Sequence, residues 1–196
     1  MENFKLEKFS IQHHLEQILD FCKRSYHDIS SPAHVNMWGD SKNTLSHILT
    51  KTNRFNEPFG AFYFLLDDHN IIGCSGIHVS DFCDQVAVAG SRLWIDKNYR
   101  NKFLARDYFL PVQKKWAIER EIKIIALTFN EYNRNLIQLW KRSRLGENMS
   151  ERKSHHLFYD NFNEVSFPVN VKFTKQWLIY EKLDPTFEYD WNLIKS

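Results

Sequence analysis

"RLWIDKNYRNKFLARDYF", Arg92 to Phe109, is the stretch on which the reading of this chain turns. Leu93 to Ile95 end an apolar strand, a charged turn follows, and apolar residues then return at helical spacing. Leu104, Tyr108, Val112 and Trp116 fall on one face of that helix, and Pro111 inside it is expected to kink it or loosen one turn. A turn entering a helix N-terminus presents backbone N–H groups and about half a positive charge. That makes a phosphate cradle, around which Arg100, Lys102 and Arg106 can add charge.

Upstream, "AFYFLL" and "IIGCSGIHV" flank Asp67-Asp68-His69-Asn70, which signals a hairpin. "QVAVAGSRLWI" is the strand feeding the turn, and Gly90 in its middle marks a bulge or a close backbone approach. "FKLEKFS" reads as a short first strand. Leu15, Ile18, Leu19 and Cys22 predict one helix, and Leu45, Ile48 and Leu49 a second. The loop between them, His27 to Asn43, carries His34, Met37 and Trp38, and loops of that length often have functions.

Downstream, "KIIALTF" is a buried strand, and "NRNLIQLWKR" is a short helix with Leu136, Ile137 and Trp140 inward. "HHLFYDNF" and "VKFTKQWLIYEK" are strands, and "DPTFEYDWNLIKS" is a tail with aromatic anchors. The order β-α-α-β-β-β-α-β-α-β-β predicts an α/β (α+β) fold, a mixed sheet with helices packed on it. No repeat or linker interrupts the chain, so a single domain over 1–196, with 183–196 as the tail, is expected.

Composition bounds the function. Apolar residues are 43% and charged residues 26%, as in a globular protein. Aromatics reach 15% with only six Gly, which suits a firmly packed chain. A net charge of +2 argues against nucleic acid as the partner. Cys22, Cys74 and Cys83 form no CxxC pair, so a disulfide framework or structural zinc is not expected, and a reduced, cytoplasmic protein is. "MENFKLEKFS" is too charged for a signal peptide, and no apolar run approaches the ~20 residues that span a bilayer.

With the elements in this order, "LWIDKNYRNKFLAR" resembles the acyl-CoA-binding motif of the GNAT acyltransferase superfamily. That motif runs from a strand to a basic or Gln residue, two residues, Gly, one residue, Gly or Ala, then a helix. Arg100, Asn101, Lys102, Phe103, Leu104 and Ala105 occupy the frame, five residues past the strand end at Ile95. "NRNLIQLW", Asn133 to Trp140, is similar to the family's Asn-x-x-Ala-x-x-x-Tyr helix. The resemblance spans residues 3 to 183 in topology and Leu93 to Trp140 in motif. It implies a mostly antiparallel sheet of six to seven strands with about four helices.

The resemblance also implies acetyl-CoA as co-substrate. Its pyrophosphate would dock on the Arg100–Ala105 turn with Arg106 beside it, and its pantetheine arm along the backbone of Leu93, Trp94 and Ile95 between splayed strands. Asn133 would contact it further on; by itself that residue reads equally as a helix cap. The thioester would lie beside Ala87 to Ser91, where a backbone N–H polarises its carbonyl.

Four positions depart from the family pattern. Phe103 stands where Gly is usual, and its ring must point away from a ligand. Asn101 stands where Gly is frequent, and Asn tolerates left-handed backbone. Ala89 holds the place of a Glu base, and Trp140 that of a Tyr acid, which indole cannot replace. Proton transfer contributes roughly 10²–10⁴-fold, so a site without it is slow rather than dead. The expected activity is therefore N-acetyl transfer to a small-molecule or peptide amine, with no catalytic residue assigned. The alternative is a catalytically degenerate GNAT-like fold serving as a binding or assembly protein. A homodimer through the terminal strands suits the fold.

Outside the motif, His78 and Ser91 are polar neighbours of the expected cleft, and His78 reads first as a packed strand histidine. Asp81 reads as a turn residue. The doublets His13-His14 and His155-His156 diverge on either a strand or a helix, so no metal site is expected. Lys114 and Lys115 read as a solvated helix face.

Overall fold

The computed structural model describes residues 4–8, 16–17, 60–80, 83–130, 138, 141–142, 149–159 and 168–190. Of the first two expected helices, only Glu16 and Gln17 are described, both helical. Of the helix expected after "KIIALTF", only Gln138 and Lys141 are described as helical. The loop with His34, Met37 and Trp38 lies outside the described residues, as do His13, His14, Cys22, Asp81, Asn133 and Trp140.

Seven strands form one sheet in the order β1-β2-β3-β4-β5-β7-β6. They are β1 Lys5–Lys8, β2 Gly60–Asp67, β3 Asn70–Val79, β4 Val86–Ile95, β5 Ile124–Asn130, β6 Met149–Tyr159 and β7 Pro168–Lys182. The β1–β2, β2–β3, β5–β7 and β6–β7 pairs are antiparallel, while β4–β5 is parallel. This is the mixed sheet that the alternating β and α patterns predict. Contacts divide the chain into two compact units, Met1–His78 with Gly90–Gln113 and Val79–Ala89 with Lys114–Ser196.

In the first unit, β2 and β3 are apolar along nearly their whole length, and Phe62, Phe64, Leu65, Ile71, Ile72 and Ile77 are buried. Such runs belong to strands covered on both faces. The hairpin turn is tighter than the expected four residues: Asp67 pairs with Asn70, leaving only Asp68 and His69. Asp68 takes φ 52°, which Asp tolerates in turns. The end of β4 is set closely against β3. A Cβ on Gly73 would stand 2.8 Å from Ile95 Cδ1 and 3.2 Å from the Trp94 carbonyl, so only glycine fits there without a shift. One residue past β4, the Asp96 amide donates to the Ile72 carbonyl at 2.8 Å.

The helix after the turn differs from the expected one, and Pro111 explains how. A π-helical turn, Ala105–Phe109, precedes α1, Leu110–Ile118. Leu110 donates its amide five residues back, to the Ala105 carbonyl. Pro111 has no N–H for the carbonyl four residues before it, and a π turn absorbs one extra residue at that point. The inward face therefore slips by one. Phe109 and Gln113 are buried after Leu104, whereas Tyr108 and Val112 are only half-buried. The regular spacing read from the sequence is corrected accordingly; Trp116 remains buried.

In the second unit, Val86, Ile124, Ala126 and Leu178 form a buried cluster, on which Cys83, Tyr180, Phe187 and Tyr189 pack. The tail thus carries the aromatic anchors expected of it. Lys115 is exposed, but Lys114 is half-buried and bonded to the Glu181 carboxylate at 2.8 Å, so the solvated-face reading holds for only one of the two.

Asp184 ties the end of β7 to the start of β5. Its Oδ1 accepts from the Thr186 hydroxyl at 2.6 Å and the Thr186 amide at 2.9 Å, and Lys123 Nζ lies 3.7 Å from Oδ2. These bonds, the hydroxyl's first, hold its carboxyl below the ordinary range. A carboxyl lowered in the folded state adds stability above its unfolded value and loses it as pH falls through its folded value. Asp184→Asn should therefore lower the melting temperature at pH 7, and the gap should close on acidification below about pH 4, the ordinary Asp value. Parallel melting curves at both pH values check this.

Candidate functional site

The β4–β5 ladder runs from Val86↔Ile124 to Ala89↔Leu127. Gly90 follows with φ 67°, so β4 breaks its regular path where the small residues lie. The bulge or close approach expected there is this kink. Ala87 and Ala89 are buried. Beyond it, β4 continues through Leu93, Trp94 and Ile95 and enters the charged turn.

That turn is built by local bonds. Asp96 Oδ1 accepts from the Asn98 amide at 2.9 Å and opens a 3-10 turn, Lys97–Tyr99. The Tyr99 hydroxyl donates to Asp67 Oδ2 at 2.5 Å, anchoring the turn to the end of β2. Arg100 folds back so that its Nε donates to the Ile95 carbonyl at 3.0 Å.

Next come two left-handed residues, Asn101 with φ 67° and Phe103 with φ 56°. Leu104 directly after is right-handed, at φ −58°, ψ −35°. A left-handed residue followed by a right-handed one turns successive amides toward one concavity, which is an anion-binding nest. The first intrahelical bond here is from the Asp107 amide to the Phe103 carbonyl, at 3.0 Å. The amides before it precede the helical ladder. Asn101 and Phe103 thus keep the backbone that glycine would adopt, with a side chain attached. Holding Phe there costs roughly 1–2 kcal/mol. Phe103 is 54% exposed, and its ring lies under the Arg106 guanidinium, 4.5 Å from Cζ to the ring centre.

The three cations have local partners. Arg106 is bonded twice to Asp107, at 2.6 and 3.1 Å. This pairing raises the Arg106 pKa and lowers that of Asp107. Lys102 Nζ lies 5.3 Å from the ring centre of Tyr99 and 5.9 Å from that of Phe4. Around this turn, then, the side-chain charges are engaged locally, and the backbone amides before Asp107 precede the helical ladder.

Residues 23–146 match the Acetyltransferase (GNAT) family. The chain belongs to that family. Among solved structures, it is similar to an N-acetyltransferase from Staphylococcus aureus Mu50, with TM-score 0.61 and 12% identity over 93% of this chain and 99% of that one. A ribosomal-protein-alanine N-acetyltransferase from Brucella melitensis gives TM-score 0.59 and 10% identity over 91% and 99%. A GNAT-family acetyltransferase from Streptococcus pneumoniae gives 0.58 and 13% over 92% and 100%. At such identities the likeness shows the fold alone. No curated protein matches the sequence. GNAT membership gives the chain the general acyltransferase class, with an acyl-CoA as the family's usual co-substrate.

Within this GNAT fold, the remaining expected residues are placed as follows. His78 is half-buried at the end of β3, Cys74 is buried and Cys83 half-buried. His155 and His156 are successive residues of β6. No described helix is long and apolar enough to cross a membrane. Two contributors were not legible in the sequence. Tyr99 and Asp67 meet across 32 residues. Gln113 is buried because the π turn rotates it inward, and a regular helix would have given no sign of this.

Proposed function

We propose that this protein is an N-acyltransferase that moves an acetyl group from acetyl-CoA to a primary amine by direct attack. The observation that carries the reading is the left-then-right backbone at Phe103–Leu104, at the start of a helix and eight residues past Ile95. It fits a pyrophosphate, which backbone amides at a helix start bind well. The Arg100–Ala105 turn would hold that group with Arg106 near it. The backbone of Leu93, Trp94 and Ile95 would take the pantetheine arm.

In the transfer, the amine nitrogen forms a bond to the acyl carbon while the carbon–sulfur bond breaks. The thiolate leaves, and the amine proton passes to solvent. Ala89 is buried and offers no carboxylate, so in this reading that position does not deprotonate the amine. The acceptors that suit this reading are small amines, amino acids, peptide N-termini and lysine side chains. Three scattered cysteines with no CxxC pair suit a reducing, cytoplasmic setting. A second reading, a binding or assembly protein, is favoured by Ala89 at the place of the base and by the exposed Phe103 ring.

Calorimetric titration with acetyl-CoA separates the two. The wild type should bind, and Arg100→Ala should bind about tenfold more weakly, the effect of one charge-assisted bond. Absence of binding at high protein concentration would sink the acyltransferase reading in favour of the second.

A further inference from the structure

Gln113 is 1% exposed on α1, and Ser75 on β3 is equally buried. Its Nε2 donates to Ser75 Oγ at 2.8 Å and to the Gly76 carbonyl at 3.0 Å. Its Oε1 accepts from the Gly90 amide at 3.3 Å. The orientation of the side-chain amide is chemically fixed. A carbonyl only accepts and a backbone N–H only donates, so exchanging Oε1 and Nε2 would break both contacts.

A buried primary amide is unfavourable unless its bonds are made, and a leucine would fill the same space without that demand. What the amide provides is an acceptor for Gly90. With φ 67°, Gly90 leaves the regular strand, and its half-buried backbone N–H finds its partner in the Gln113 side chain. Gln113 supplies it from the helix, aimed by two bonds to β3.

We propose that Gln113 is a positioning residue for the acyl-CoA site. By clamping the Gly90 kink it fixes the course of Ser91 to Ile95, whose backbone leads from the acyl end to the phosphate turn. The clamp also occupies the Gly90 amide, so polarisation of the thioester falls to a neighbouring amide of β4. This inference rests on the acyltransferase reading.

The test compares two probes by calorimetry. Acetyl-CoA carries thioester and pantetheine, whereas adenosine diphosphate carries only the nucleotide pyrophosphate. Gln113→Leu should weaken acetyl-CoA about tenfold, the loss of one oriented polar contact, and leave adenosine diphosphate unchanged. Gln113→Glu, which keeps the shape and the acceptor, should recover acetyl-CoA binding as the pH is lowered and its carboxyl regains a proton to donate. It carries the test if the leucine variant does not fold. Hydrogen exchange at Gly90 should speed up in Gln113→Leu and slow again in the protonated Glu variant. Equal loss for both probes, or unchanged acetyl-CoA affinity, would overturn the positioning role alone. A wild type that binds no acetyl-CoA would overturn the underlying reading and this one with it.

Discussion

Phe103→Pro should reduce acetyl-CoA affinity by more than about 100-fold, an effect of about 2.7 kcal/mol. Two losses add at one position. Proline lacks the N–H that the nest would offer, and its φ of about −65° cannot adopt the 56° found at Phe103. The left-then-right pair would be lost, and with it the concavity. Phe103→Gly makes the opposite case. Glycine adopts that φ freely, so the variant should be more stable by about 1 kcal/mol, the lower end of the left-handed cost. It should bind acetyl-CoA at least as tightly as the wild type, since the site is held by backbone. Titration of both variants, with a melting curve for each, reads the two effects apart. If Phe103→Gly binds more weakly, the exposed ring under Arg106 is itself part of the site, and the backbone account fails.

That contrast shows what the sequence carried and what it did not. Strand patterns here are legible because β2 and β3 are apolar along nearly all their length, and Gly90 signalled its own irregularity. The charged turn was legible through its spacing from Ile95, but not its backbone. Asn and Phe in place of Gly read as departures from the family motif, yet both take the glycine conformation. Sequence alone cannot show this, because the cost of a left-handed Phe is small enough for the surroundings to impose it. The helix register departs from the sequence spacing for a related reason. Pro111 announced a disturbance, but whether the chain answers with a kink or an inserted residue depends on what packs below. Here Phe109 lies over Gly73, its Cε2 3.4 Å from where a Cβ on that glycine would stand.

That packing makes Phe109→Ala the substitution with the largest expected effect on stability. Phe109 is 1% exposed, and emptying such a site costs about 3–5 kcal/mol through lost transfer energy and the cavity left behind. For a chain of this size each kcal/mol is roughly 2–4 °C of melting temperature, so a fall on the order of 10 °C is expected. Tyr108→Ala is the control. Tyr108 is half-buried, and its ring meets Phe4 edge-on with centres 6.0 Å apart. Losing that pair should cost about 1 kcal/mol. A regular helix from Leu104 reverses the order, because Tyr108 would then face inward. Thermal melts of the two variants therefore test the π turn directly, without ligand or activity. The outcome also bears on the clamp, since the same inserted residue that buries Phe109 turns Gln113 toward Ser75 and Gly90. If Tyr108→Ala proves the more damaging change, Gln113 would face solvent, and its hold on β4 would be lost with the register.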